Sequence, residues 1–192
     1  GLTESYGPAT VCVEQAGWPS LPLERRSALM ARQGVRYPTM AECMVADPES
    51  LTPVPADGET LGEILLRGNT LMKGYLKNPS ATEAAFEGDW YHTGDLAVLH
   101  PDGYVEVKDR AKDIIISGGE NISSIEVEHA IAAHPKVADA SVVGAPDETW
   151  VETPVAIVVP SDPEDPPTLE ELRDFLSDKL AGFKKPTRLE SV

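Results

Sequence analysis

The side chains best suited to chemistry stand in two short strings, YHTGDL around Asp95 and DRAKDIIISGGENISSIE from Asp109 to Glu126. A carboxylate such as Asp95 can accept both hydroxyls of a ribose, selecting a ribonucleotide while staying clear of its phosphates. Arg110 can add a second contact to the same sugar. Each residue also has a purely structural use: Asp commonly forms turns through its own side chain, and an exposed Arg often joins a surface ion pair worth little. Gly118 and Gly119 permit backbone conformations barred to other residues and let a ligand approach closely, although a plain turn explains two glycines equally well. Tyr91 and His92 suit shaping the Asp95 loop better than moving protons. The 4 His residues share no spacing that suggests a histidine-based site. Cys12 and Cys43 form no CxxC pair and have no His cluster beside them, which argues against a zinc site or disulfide scaffold and for a reducing, cytoplasmic setting.

These groups need elements to hold them. Val11 to Val13 reads as a short strand, and Leu23 to Gln33, closed by Gly34, as a short helix. Between Ala41 and Leu66 the apolar pieces CMVA and EILL are broken by Pro48, Pro53, Pro55 and Gly58, which predicts short strands and turns. Pro79 to Phe86 suits a helix with Pro at its start and Gly88 at its end. Leu96 to Leu99 and Tyr104 to Lys108 flank HPDG, whose Asp102 and Gly103 suit a hairpin turn, so Asp95 and Asp109 should stand at strand ends. Ile114 to Ile116 reads as a further strand. Ser123 and Glu126 have capping-box spacing ahead of a helix that buries Val127, Ala130 and Ile131 and stops before Pro135.

Ser141 to Val143 and Val155 to Val159 read as strands around a loop bearing Trp150. Thr168 and Glu171 form another capping box, followed by Leu172, Phe175, Leu176 and Leu180 on one helix face, with Gly182 as its stop. This order of strand, helix, strands and helix describes a small α+β domain, with a boundary near Lys112. The segment VVPSDPEDPPT reads as an exposed loop.

A chain of 192 residues with 41% hydrophobic and 25% charged residues is ordinary for a globular protein. No apolar run approaches the roughly 18 residues needed to cross a bilayer. With 32 acidic against 16 basic residues the formal charge is -16, which repels a phosphate backbone and argues against a nucleic-acid partner. An anionic ligand would need local help from a divalent cation, backbone amides or a few placed cations.

GLTESYGPAT at the start, YHTGDL, and the stretch from Asp109 to Glu126 together resemble the signatures of the acyl-adenylating (AMP-binding) superfamily. Its members include acyl-CoA synthetases, firefly luciferase and peptide-synthetase adenylation domains. The resemblance covers almost the whole chain and implies an α+β fold in two parts. Residues 1–111 would be the carboxyl end of the large adenylating domain, with its small distorted β-barrel; residues 112–192 would be the mobile C-terminal domain, hinged at Lys112. The wording of GLTESYGP and SGGENISS favours an acid-CoA ligase. Such an enzyme joins a carboxylic acid to AMP at the expense of Mg-ATP, and the thiol of coenzyme A (CoA) then displaces AMP.

On this resemblance Thr3 would touch the phosphate and Glu4 would hold Mg2+. Gly118 and Gly119 would line the pantetheine channel once the small domain rotates. Trp150 would stack on the adenine of CoA, with Phe183 and Lys185 supplying an aromatic face and a cation near its phosphates. A half-buried indole and a basic helix tail explain these last residues nearly as well. The family's common WGE reads Trp150, Val151, Glu152 here, so a glycine is missing where the backbone often turns. The family's phosphate loop and terminal catalytic lysine are expected outside residues 1–192, which implies that the isolated chain is inactive in adenylation. Lys184 and Lys185 belong to the earlier FKKP segment. An adenylation domain that loads a carrier protein and a noncatalytic nucleotide-binding or interaction module stand as alternatives, and a homo-oligomer is left open.

Overall fold

The computed structural model describes residues 1–192, which form two compact units, Gly1–Lys108 and Asp109–Val192. The first contains β1 (Thr10–Val11), α1 (Leu23–Met30), β2 (Val35–Arg36), β3 (Glu42–Ala46), β4 (Gly62–Arg67), α2 (Pro79–Ala85) and β5 (Tyr91–Leu99), and β6 (Val105–Arg110) runs across the dividing line. Strands β3, β4, β5 and β6 make a four-stranded sheet in that order, while β1 and β2 pair as a separate antiparallel ribbon. The run EILL in β4 has an immediate physical reason. Successive strand residues face opposite sides of a sheet, and here both sides are covered. Ile64 and Leu66 pack with Met40, Val45, Tyr91 and Ala97, whereas Leu65 packs with Ala46 and Trp90.

The expected barrel does not close. At one edge, Ala46 of β3 meets Pro53 in an isolated bridge, and a proline has no N–H with which to extend a ladder. At the other edge, a lone bridge between Gly34 and Val105 joins the chain after α1 to β6. Helix α1 buries none of its residues and ends at Met30, short of the expected Gln33. Just beyond it, the buried Arg32 lies over the rings of Trp18 and Tyr104. Its guanidinium donates to both Asp102 oxygens at 3.1 and 2.9 Å, so Asp102 is tied down from outside its own turn.

The second unit contains β7 (Ile115–Ser117), β8 (Glu120–Ile122), α3 (Ser124–Ala132), β9 (Val137–Asp147), β10 (Val151–Pro160), α4 (Leu169–Phe175) and β11 (Arg188–Ser191). Strand β10 is central, antiparallel to β9 and β7 and parallel to β11. One core holds Ile115, Ile122, Val127, Ile131, Val142, Ala156, Val158, Leu172 and Leu176. Both β9 and β10 run longer than their apolar stretches suggest, because the backbone ladder continues through residues whose side chains face solvent.

Thr168 and Glu171 form the full capping box, with bonds of 3.2 and 2.8 Å. At α3, Ser123 accepts from the Glu126 N–H at 3.1 Å, and the Glu126 carboxylate pairs with Lys184 at 2.7 Å. Helix α4 ends at Phe175, earlier than the apolar face suggests. Leu180 is nonetheless buried, because a turn bonded to the Leu176 carbonyl at 3.1 Å carries it inward.

Candidate functional site

Asp95 lies inside β5 rather than at a strand end, and the reason is a bulge. The register of β4 against β5 runs Glu63 to Leu96 and then Leu65 to His92, so Thr93, Gly94 and Asp95 stand opposite Ile64 alone. Gly94 makes this geometry available, with φ of 71° in the left-handed region. Bulges of this kind re-aim a side chain while the strand stays fixed. Thr93 donates its hydroxyl to the Ile64 carbonyl at 2.8 Å and accepts from the Asp95 N–H at 3.1 Å. The buried Glu63 accepts from the Gly94 N–H at 2.7 Å, and its other oxygen lies 2.8 Å from His92 Nδ1.

Thr3 and Glu4 occupy a 3-10 turn, Thr3–Ser5, with Thr3 exposed and Glu4 half-buried. The Glu4 carbonyl accepts from the Met72 N–H at 2.7 Å. Its carboxylate accepts from the Tyr75 hydroxyl at 3.1 Å. The Tyr91 hydroxyl is raised well above the ordinary tyrosine range, first by burial, then by its hydrogen bond with Tyr75 and by the nearby charges of Glu4 and Asp95. Glu4 and Asp95, far apart in sequence, therefore share one neighbourhood around Tyr91. Tyr75 escapes sequence inspection because nothing in MKGYL marks it chemically.

The donor set also bears on the implied Mg2+. No group of three His, Cys, Asp or Glu residues is gathered to hold a metal. Mg2+ is commonly bound through one or two carboxylates, with phosphate oxygens and waters completing its shell. The single Glu4 carboxylate fits an ion that arrives with a nucleotide's phosphates.

In the second unit, Gly118 and Gly119 form the two-residue turn between β7 and β8, with φ of 60° and 88°. The Gly118 N–H donates to the Trp150 carbonyl at 2.8 Å. A Cβ on Gly118 would lie 2.7 Å from Trp150 Cε3, so the half-exposed indole rests directly on the glycine. Gly118, Gly119 and Trp150 are thus brought together. Asp147 orders the turn that carries Trp150, accepting from the N–H groups of Trp150 and Thr149 at 2.9 and 2.8 Å, and these bonds lower its pKa. Val151 adopts φ of 74°, a conformation that strains a β-branched residue by about 1–3 kcal/mol. The missing glycine of the WGE pattern therefore has a structural consequence.

Lys112 is exposed in a turn in which the Asp113 N–H bonds the Arg110 carbonyl at 3.0 Å. Arg110 is exposed at the end of β6. Between them and α3 stands Asp109, only 1% exposed, whose role was not evident from sequence. It accepts from the N–H groups of Arg110 and Ser124 at 2.7 Å each, so a carboxylate ties the end of β6 to the start of α3. Asp109, Arg110 and Lys112 line a cavity of about 480 Å³ with Ser124, Glu128 and Glu152 among the remaining walls. Phe183 and Lys185 sit on a different element, the 3-10 turn Gly182–Lys184 and the residue after it. Lys184 in that turn is anchored to Glu126.

Residues 1–76 match the family described as AMP-binding enzyme, and residues 126–192 match the AMP-binding enzyme C-terminal domain. A peroxisomal acetate/butyrate–CoA ligase from Arabidopsis thaliana is 54% identical over 190 residues, which are 97% of this chain and 33% of that protein. An o-succinylbenzoate CoA synthetase from Bacillus subtilis, solved with its acyl-adenylate intermediate, matches with a TM-score of 0.82 at 32% identity, over 100% of this chain and 36% of its own. An amide bond synthetase from Marinactinospora thermotolerans matches with a TM-score of 0.75 at 36% identity, over 88% of this chain and 34% of its own. The chain spans about a third of the length of these relatives. One family description falls on the unit that carries Asp95 and the other on the unit that carries the glycine turn, and the chain belongs to the AMP-binding, acyl-adenylating superfamily.

Proposed function

We propose that the chain forms the ribose-binding and C-terminal portions of an ATP-dependent acid-CoA ligase. The observation that supports this is the bulge in β5 at Thr93, Gly94 and Asp95, together with the charges of Asp95 and Glu4 both acting on Tyr91. Asp95 accepts the ribose hydroxyls, with Arg110 as a second contact to the sugar. The substrate carboxylate attacks the α-phosphorus of ATP, pyrophosphate leaves, and the CoA thiol then displaces AMP from the acyl carbon. Mg2+ bound with the nucleotide would offset the charge that builds on the phosphate. Glu4 would hold that ion, and the Thr3 hydroxyl would donate to a phosphate oxygen.

Lys112 acts as the hinge between half-reactions. Its exposed turn can change φ and ψ without opening a core. Gly118, Gly119 and Trp150 supply a flat, glycine-floored face for the pantetheine and adenine of CoA, with Phe183 and Lys185 near its phosphates. The acetate/butyrate–CoA ligase makes a short aliphatic acid the first substrate to try. No helix is long and apolar enough to cross a membrane. Cys12 and Cys43 are free, and burial pushes the Cys43 thiol up to about 11, both compatible with a reducing compartment. That compartment is the cytoplasm or, by analogy with the peroxisomal relative, the peroxisome.

The likeness to an amide bond synthetase supports a second reading, in which the acyl-adenylate is passed to another acceptor. Incubating the whole protein with short acids, Mg-ATP and either CoA, an amine or a carrier protein distinguishes them. Thioester formation with release of AMP and pyrophosphate is expected only with CoA. Adenylation without transfer to CoA would exclude the ligase. Lys112→Pro fixes φ and should slow one half-reaction selectively; equal slowing of both would remove the hinge.

A further inference from the structure

We propose that Glu63 is a positioning residue for the ribose carboxylate, acting through Gly94 and His92; this rests on the ribose role given to Asp95 above. Glu63 is only 6% exposed, and a buried carboxylate is costly unless its oxygens are bonded. Each oxygen is used on a different residue of the bulge. Oε1 accepts from the Gly94 N–H at 2.7 Å, and Oε2 lies 2.8 Å from His92 Nδ1. Thr93 between them is fixed to the Ile64 carbonyl at 2.8 Å. Three consecutive residues before Asp95 are thereby anchored to β4, and two of the anchors are the same side chain. An apolar residue could fill the same space but would leave the Gly94 N–H unpaired beside the strand. Glu63 therefore serves the bulge rather than the core.

The two contacts demand reach more than charge. Gln has the same length, and its amide oxygen can accept from Gly94 while its NH2 donates to His92 Nδ1. Asp keeps the charge but is one methylene too short to hold both partners. A purely electrostatic role would reverse this order.

The test compares ATP with 2′-deoxy-ATP as substrates of the whole protein for the wild type, Asp95→Ala, Glu63→Asp and Glu63→Gln. Asp95→Ala is expected to lose the preference for ATP. Glu63→Asp should lose most of it, roughly tenfold and mainly through KM for ATP, because one charge-assisted hydrogen bond to the sugar is worth about that much. Glu63→Gln should keep the preference within about twofold. A wild-type preference in Glu63→Asp alongside its loss in Asp95→Ala overturns the positioning role and leaves the ribose role standing. So does a loss in Glu63→Gln as large as in Glu63→Asp. An undiminished preference in Asp95→Ala overturns the ribose role itself, and the role of Glu63 falls with it. If Glu63→Asp fails to fold, His92→Ala releases the Oε2 side alone; a partial loss of preference supports the proposal and an unchanged preference overturns it.

Discussion

Gly94 and Gly118 share a left-handed backbone, with φ of 71° and 60°, yet their surroundings are opposite. Nothing lies within 4 Å of where a Gly94 Cβ would be, whereas the indole of Trp150 sits 2.7 Å from the equivalent point on Gly118. Gly94 belongs to a bulge inside a sheet, backed by the buried Glu63 and Thr93. Gly118 belongs to the tip of a short hairpin beside the strained Val151. Sites built on strands hold their side chains more accurately than sites built on loops. On the proposed function, the first unit would thus fix a nucleotide in one pose, and the second would offer its face to the long, flexible CoA.

The largest expected effect that sharpens this comparison comes from beneath the bulge. Leu65 on β4 is fully buried, and Leu65→Ala should lower the stability of the first unit by about 2–5 kcal/mol in denaturant titration. A smaller loss would mean that the sheet is not the rigid support of Asp95. Next comes the glycine pair. Gly118→Ala combines backbone strain with a displaced indole and should cost about 2–3 kcal/mol, with a change in Trp150 fluorescence, while Gly94→Ala carries strain alone and should cost about 1 kcal/mol. Equal costs at the two positions would break the contrast.

The smallest effect is acid sensitivity. Glu171 is held down to about 2 by the Thr168 N–H and then by Lys136. Asp57 in the first unit is held down to about 2 by the Thr60 hydroxyl and neighbouring N–H groups. Both pKa values are lowered by folding, so their contributions are complete above the ordinary carboxylate range and disappear as pH falls toward about 2. Lys136→Met removes the second of these partners and should raise the Glu171 value in an NMR titration while leaving Asp57 unchanged. A matching rise at Asp57 would show coupling that the local bonds do not provide.

What the sequence made legible is mostly local. The Thr168 and Glu171 capping box, the Gly118 and Gly119 turn and the helix from Ser124 each depend on residues only a few positions apart. Asp95 was visible through its motif, but its place inside a strand was not, because register is decided by pairing across the sheet. Glu63 reaches residues 29 and 31 positions away, and GEILL advertises it only as a polar residue next to an apolar run. Tyr75 and Asp109 were hidden in the same way: each matters through a partner distant in sequence. The barrel expectation failed on closure, which depends on edge pairing that Pro53 interrupts. The absent glycine at position 151 was visible, and the structure turns that absence into a positive φ.

The most direct measurement is calorimetric titration of AMP into the whole protein and its Asp95→Ala variant. The affinity should fall roughly tenfold or more, as expected for losing a charged acceptor to ribose hydroxyls, with an unchanged melting temperature. Equal AMP affinity in the two proteins would contradict the assignment of Asp95 to the sugar.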